Sequence, residues 1–152
     1  MSIDLRERKK LKKRTISLMD DWVFKAVIGD PEDEVCLSSF FHAIDPDFRK
    51  VRLLPGEKKA GHPDDKAIRY DICGVINEKI YFDLEIQRNG NPEEQGIRIV
   101  FYLSRLLSGQ RTKGKDYREL RPVRVIMITN FRFFDDPEVS SDVFYLVGEK
   151  TG

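Results

Sequence analysis

Between Arg69 and Gln87 the chain runs Arg-Tyr-Asp-Ile-Cys-Gly-Val-Ile-Asn-Glu-Lys-Ile-Tyr-Phe-Asp-Leu-Glu-Ile-Gln, and no other stretch restricts the fold as much. Two runs rich in β-branched and aromatic residues flank the polar triplet Asn77-Glu78-Lys79, the pattern of a hairpin. The apolar residues also select its register. A two-residue turn at Asn77-Glu78 would set Ile76 opposite Lys79 and Ile72 opposite Asp83, mixing polar and apolar on both faces. One more residue in the loop sets Ile76 opposite Ile80 and Ile72 opposite Leu84. One face then carries Ile72, Gly74, Ile76, Ile80, Phe82, Leu84 and Ile86, a core face. The other carries Asp71, Cys73, Val75, Tyr81, Asp83, Glu85 and Gln87. A one-residue slip would turn the apolar set to water, so the second register is expected.

In that register Asp71 lies opposite Glu85, and Gln87 follows on the same side. Two carboxylates at a cross-strand distance raise one another's pKa unless a cation sits between them. Their oxygens suit a hard cation, Mg²⁺ or Mn²⁺, rather than Zn²⁺. An ordinary hairpin whose solvent face carries acids accounts for the same residues equally well. Charge along the chain is uneven although the net is +1: residues 1–14 hold +5, residues 15–96 hold −7, residues 97–125 hold +6 and residues 126–152 hold −3. A metal site beside a phosphate-binding surface would need such an acidic block followed by a basic one. Solvated helix faces give the same pattern.

The ordered residues resemble the PD-(D/E)XK nuclease superfamily: an Asp opening one strand, then an E-x-Q triplet, Glu85-Ile86-Gln87, on its hairpin partner. Gln in place of the usual Lys resembles the branch labelled transposase or recombination-promoting nuclease. Asp21-Trp-Val-Phe-Lys25 with Ile28-Gly29 is similar to that branch's opening D-x-x-F-K. Arg98 and Tyr102, then Gly114, Tyr117, Leu120 and Pro122-Val123, are similar to its middle helix and the strand beyond. The triplet's centre is often Met there and is Ile86 here, and no Pro precedes Asp71. The resemblance implies an α/β fold, a restriction-endonuclease-like core with a mixed central sheet of four to five strands flanked by helices. It also implies Asp71 and Glu85 as metal ligands with the carbonyl of Ile86, and Gln87 as their catalytic companion. Asp21 is implied as an accessory acid. Lys25, Arg98 and Tyr102 are implied to face nucleic acid, with Arg105 on the same stripe.

With 152 residues the chain is one domain by size. Residues 1–17 read as a basic flexible arm and residues 18–152 as a single domain that ends as if truncated. A first helix is expected from about Leu18 or Asp20 to Val27, stopped by Gly29. Asp30-Pro31 reads as the start of a second, running to about Ala43 and burying Val35, Leu37, Phe40, Phe41 and Ile44. Val51–Leu54 reads as a strand, and residues 55–68 as a loop and the segment most prone to disorder. Pro92 opens a third helix to about Ser108, capped by Gly109. Ile97, Val100, Phe101, Leu103, Leu106 and Leu107 cover more than half its circumference, so burial against the sheet is expected. Arg98, Tyr102 and Arg105 form its one polar stripe. Residues 110–121 read as a basic loop, Val123–Thr129 as a central strand, Phe131–Phe134 as a packed edge, and Asp142–Val147 as a last strand.

Cys36 and Cys73 stand in no metal-ligand spacing and read as free thiols, and His42 and His62 have no partner pattern. There is no secretory signal, and no apolar run approaches the length of a membrane span, so cytosol is the default. The leading expectation is a Mg²⁺- or Mn²⁺-dependent DNA endonuclease tied to transposition or recombination. A homodimer is compatible with it. The alternatives are a catalytically idle module that keeps the fold to bind nucleic acid or protein, and an interaction domain using the Phe131–Phe134 surface.

Overall fold

The computed structural model describes residues 17–55, 57, 58, 68, 69, 71–110 and 116–145. Residues 1–16 of the basic arm, most of the loop between 55 and 68, and residues 111–115 and 146–152 lie outside the described residues. The elements run α1 (Asp21–Ile28), α2 (Glu34–Ile44), β1 (Val51–Leu54), β2 (Glu57–Lys58), β3 (Ile68–Arg69), β4 (Ile72–Ile76), β5 (Ile80–Gln87), α3 (Pro92–Ser108) and β6 (Val123–Thr129). Four strands form one mixed sheet in the order β1-β4-β5-β6, and β2 pairs with β3 separately. β4 is antiparallel to β1 and β5, whereas β6 joins β5 in parallel after the α3 crossover. The fold is the expected α/β arrangement, with three α-helices and a mixed main sheet of four strands among the described residues.

The hairpin takes the register its apolar residues demand: Ile76 pairs with Ile80 and Ile72 with Leu84. Asn77 and Glu78 both adopt left-handed backbone, φ 52° and 58°, and Lys79 N–H closes the turn on the Ile76 carbonyl at 3.0 Å. Asn tolerates that region because its short amide bonds locally. Here its Oδ1 accepts from the N–H groups of Arg49 and Lys50, and its Nδ2 donates to the Asp47 carbonyl. The turn is thereby tied to the chain leading into β1.

Ile72, Ile76, Phe82, Leu84 and Ile86 are buried against Phe24 and Ile28 of α1, Leu37 and Phe41 of α2, and Phe48. The opposite face is not a solvent face. α3 lies over it, and Cys73, Val75, Asp83 and Glu85 are all buried.

Several sequence expectations require correction. α2 starts at Glu34, with Asp33 as its N-cap accepting from Cys36 N–H at 2.9 Å. Asp30 instead closes a separate turn through Glu32 N–H, so the capping chemistry at Asp30-Pro31 was spent before the helix. Val35 and Ile44 are consequently exposed, while Leu37 and Phe41 are buried. α3 is rotated from the expected orientation: Ile97 is 67% exposed and Val100 62%, and only Gln95 and Leu106 are buried. The side it turns to the sheet carries Gln95, Arg98, Tyr102 and Leu106, because the face it covers bears acids. β6 is not central: among the described residues it pairs only with β5, and all seven residues are half-buried. Residues 142–145 form no strand, and Phe144 stacks on Phe134 instead.

Candidate active site

Four elements, α1, β4, β5 and α3, converge at the end of the hairpin where β4 begins and β5 finishes. Asp71 precedes β4, and Glu85 and Gln87 project from the last turn of the β5 pleat on the α3 side. The two acids interlock through the backbone. Asp71 N–H donates to Glu85 Oε1 at 3.4 Å, and Ile86 N–H donates to Asp71 Oδ2 at 3.3 Å. The Gln87 carbonyl turns the other way and accepts from Asn130 N–H. Carbonyls alternate sides along a strand, so that of Ile86 faces the Asp71 side.

Cations reach the acids from both flanks. Lys25 Nζ of α1 lies 2.9 Å from Asp71 Oδ1 and 3.0 Å from Asp21 Oδ1. Asp21 is therefore joined to the cluster through Lys25. Arg98 of α3 donates to Gln87 Oε1 at 2.9 Å and to Tyr102 Oη at 3.2 Å, and its guanidinium stands 3.8 Å from Glu85 Oε2. Arginine has no acceptor, so the Gln87 atom facing it must be oxygen. Nε2 is thereby turned towards Glu85 Oε2, 3.5 Å away, and Gln87 presents a donor to the site. Arg105 sits two turns beyond Arg98, about 10 Å along the helix axis, and is half-buried. Of the basic loop, Arg118 is held by Asp116 and Arg121 by the Glu78 carbonyl and the Tyr81 ring.

Burial sets the protonation of the acids. Burial pushes Glu85 from 4.5 up to about 7, Asp71 adds to this, and the Asp71 N–H, Arg98 and Lys25 pull back. Asp83, two residues earlier on the same face, is fully buried and no hydrogen bond reaches either of its oxygens. Burial, then Glu85 and Asp71, lift it from 3.8 to about 8. Burial pulls the Lys25 ammonium down, but Asp71 and Asp21 outweigh it and leave its pKa above the usual lysine value.

The position of Asp83 carries a stability consequence. Its folded pKa is raised, so between 3.8 and about 8 the folded chain keeps a proton that the unfolded chain has released. Stability therefore falls as pH rises through that window. Asp83→Asn should flatten this dependence, by a few kcal/mol between pH 5 and 8. Urea denaturation of both proteins at the two pH values would decide it, and equal slopes would mean that Asp83 titrates normally.

The donor set of two carboxylates and one main-chain carbonyl, with no thiolate or imidazole, suits a hard divalent cation. It holds only two acids: among the described residues no group of three or more His, Cys, Asp or Glu side chains is arranged to hold a metal ion. An open groove of about 420 Å³ passes Lys25 and Asp71 and continues along Gly29, Pro31 and Leu53. The resemblance set Lys25 and Asp21 at the edge of the site, but the direct Lys25–Asp71 contact and the burial of Asp83 and Gln95 depend on how α1 and α3 dock and left no local sign. Gln95, one turn before Arg98, is buried with its Oε1 unpaired.

A family model described as PD-(D/E)XK nuclease family transposase matches residues 18–152. No curated protein and no solved structure matches the chain. No helix among the described residues is long and apolar enough to cross a membrane.

Proposed function

Because the chain belongs to the PD-(D/E)XK nuclease family of transposases, we propose that it is a divalent-metal-dependent endonuclease acting on DNA in transposition or recombination. The observation that carries this reading is the meeting of Asp71 and Glu85 at one end of the hairpin, linked by two backbone hydrogen bonds and flanked by cations. Asp71, Glu85 and the Ile86 carbonyl would hold Mg²⁺ or Mn²⁺. When bound, such an ion supplies a Lewis acid for the phosphate and a water of lowered pKa.

The remaining chemistry belongs to the side chains. Glu85 must shed its proton to serve as a ligand, which Asp71 opposes and Arg98 assists. Arg98 orients the Gln87 amide so that an N–H points inward, where it can donate to a water or a phosphate oxygen. Tyr102 braces Arg98 from the next turn of α3.

Supercoiled plasmid incubated with Mg²⁺, Mn²⁺ or chelator tests the reading: nicked or linear product should appear only with metal. Cleavage should weaken steeply with salt, since neutralised phosphates release counterions. Arg98→Ala should slow cleavage roughly ten- to hundredfold, as loss of an outer-shell orienting partner typically does. Arg105→Ala should cost much less. Equal small effects would mean that the stripe on α3 does not orient the site.

The uncharged Gln87 favours one second reading, an idle module that binds DNA without cutting it. Retarded migration of DNA with no product under any metal would establish that instead. The interaction-domain reading has less to rest on, since Phe131, Phe133 and Phe134 are half-buried.

A further inference from the structure

We propose that Lys25 is a catalytic residue that supplies, from α1, the positive charge at the reacting phosphate which Gln87 cannot provide from β5. The inference rests on the phosphodiester-hydrolysis reading above. A hydrolysis that develops negative charge on phosphate oxygens is served by a fixed cation beside them. Gln87 is neutral, and Arg98, bonded to Gln87 Oε1 and Tyr102 Oη, stands on the Glu85 side of the acid pair rather than beside Asp71. Among the described residues, the ammonium that meets Asp71 is that of Lys25, 2.9 Å from its Oδ1.

Packing places this ammonium. Phe24 and Ile28 of α1 are buried in the core, and the Phe24 ring meets Phe40 edge-on at 6.0 Å. Lys25, between them in sequence, is thereby held at the rim, its side chain 40% exposed on the wall of the open groove. Asp21, four residues earlier, keeps Nζ aimed at the site. That partner is weakly bound: its side chain is 63% exposed, and solvated pairs of this kind contribute little. A phosphate oxygen can take its place on Nζ. Lys25 keeps its protons throughout. Water adds to phosphorus, one ester P–O bond breaks, and the leaving oxygen takes up the proton that the water sheds.

The test moves the charge between segments. Lys25→Met should cleave plasmid about 100-fold more slowly than the parent, while Lys25→Arg, which keeps the charge, should stay within about tenfold of it. Lys25→Met should bind Mn²⁺, followed by electron paramagnetic resonance without DNA, as tightly as the parent or more tightly, because a cation competing for Asp71 is gone. Adding Gln87→Lys to Lys25→Met should then restore cleavage tenfold or more. The proposal is overturned if Lys25→Met cleaves at the parent rate, if it loses Mn²⁺ binding, or if the double variant is no faster than Lys25→Met. A parent that cleaves nothing with either metal overturns the nuclease reading and this inference with it. A parent that cleaves beside an undiminished Lys25→Met overturns this inference alone.

Discussion

Asp71→Ala and Glu85→Ala are each expected to reduce plasmid cleavage by about 10³-fold or more, the largest functional effect the site predicts. Each removes one of two carboxylate ligands, and a bound metal contributes several kcal/mol of transition-state stabilisation. Folding should survive both changes. Glu85 is 2% exposed and its pKa is raised to about 7, so its removal relieves a buried acid at neutral pH. Glu85→Gln keeps the shape and should be as inactive as Glu85→Ala. A second readout separates metal from chemistry. Saturating Mn²⁺ at about 100 times its Kd should stabilise the parent by about 2.7 kcal/mol against unfolding, and neither variant. Because Glu85 in the folded chain keeps its proton up to about pH 7, this stabilisation should grow between pH 6 and 8. Cleavage by Glu85→Gln at the parent rate would remove the hairpin acids from the mechanism.

The largest effect on stability is expected from the opposite face of the same hairpin. Gly74 pairs with Phe82, whose ring folds across it and meets Phe41 at a centroid distance of 4.6 Å. A Cβ at residue 74 would lie 2.7 Å from the Phe82 ring and would also strike the backbone carbonyl of Arg52 on β1. Only a residue without a side chain leaves room for both. Phe82→Ala empties a fully buried site and should cost about 3–5 kcal/mol. Gly74→Ala should cost about 1–3 kcal/mol, at the upper end because a strand carbonyl cannot swing aside as a side chain can. Against a total of about 5–15 kcal/mol, Phe82→Ala leaves the chain near its limit. Urea midpoints would measure both, and a loss below 1 kcal/mol for Phe82→Ala would contradict the packing described here.

What the sequence disclosed follows from which contacts are local. The hairpin register was legible because period-2 alternation admits only one arrangement that gathers the apolar residues on one face, and β4–β5 adopts it. The pairing of Asp71 with Glu85 followed from that register. α3 was read inside out. Its apolar residues outnumber the polar stripe, but the sheet face it covers holds Asp83 and Glu85, and Arg98 turns towards Glu85 with Tyr102 bonded beside it. Hydrophobic periodicity assumes an apolar partner, and here the partner is charged. β6 misled for a related reason, since a continuous apolar run reads as central although it stands at the edge of the described sheet. The Lys25–Asp71 pair joins residues far apart in sequence and left no periodic trace.

The tight turn at Asn77 and Glu78 has a consequence for chain entropy. It brings Asp71 and Glu85 together by closing a segment of only 14 residues. Lys25 reaches Asp71 only by closing a segment roughly three times longer, at an extra cost of about 1 kcal/mol in lost configurations. Like charges are thus gathered by a short closure; one counter-charge, Arg98, comes from 13 residues beyond Glu85, and the other, Lys25, arrives by the long one. The hairpin can pre-form the acid pair as local structure, but its neutralisation by Lys25 exists only where α1 has docked, so the electrostatic balance of the site is a property of the whole fold.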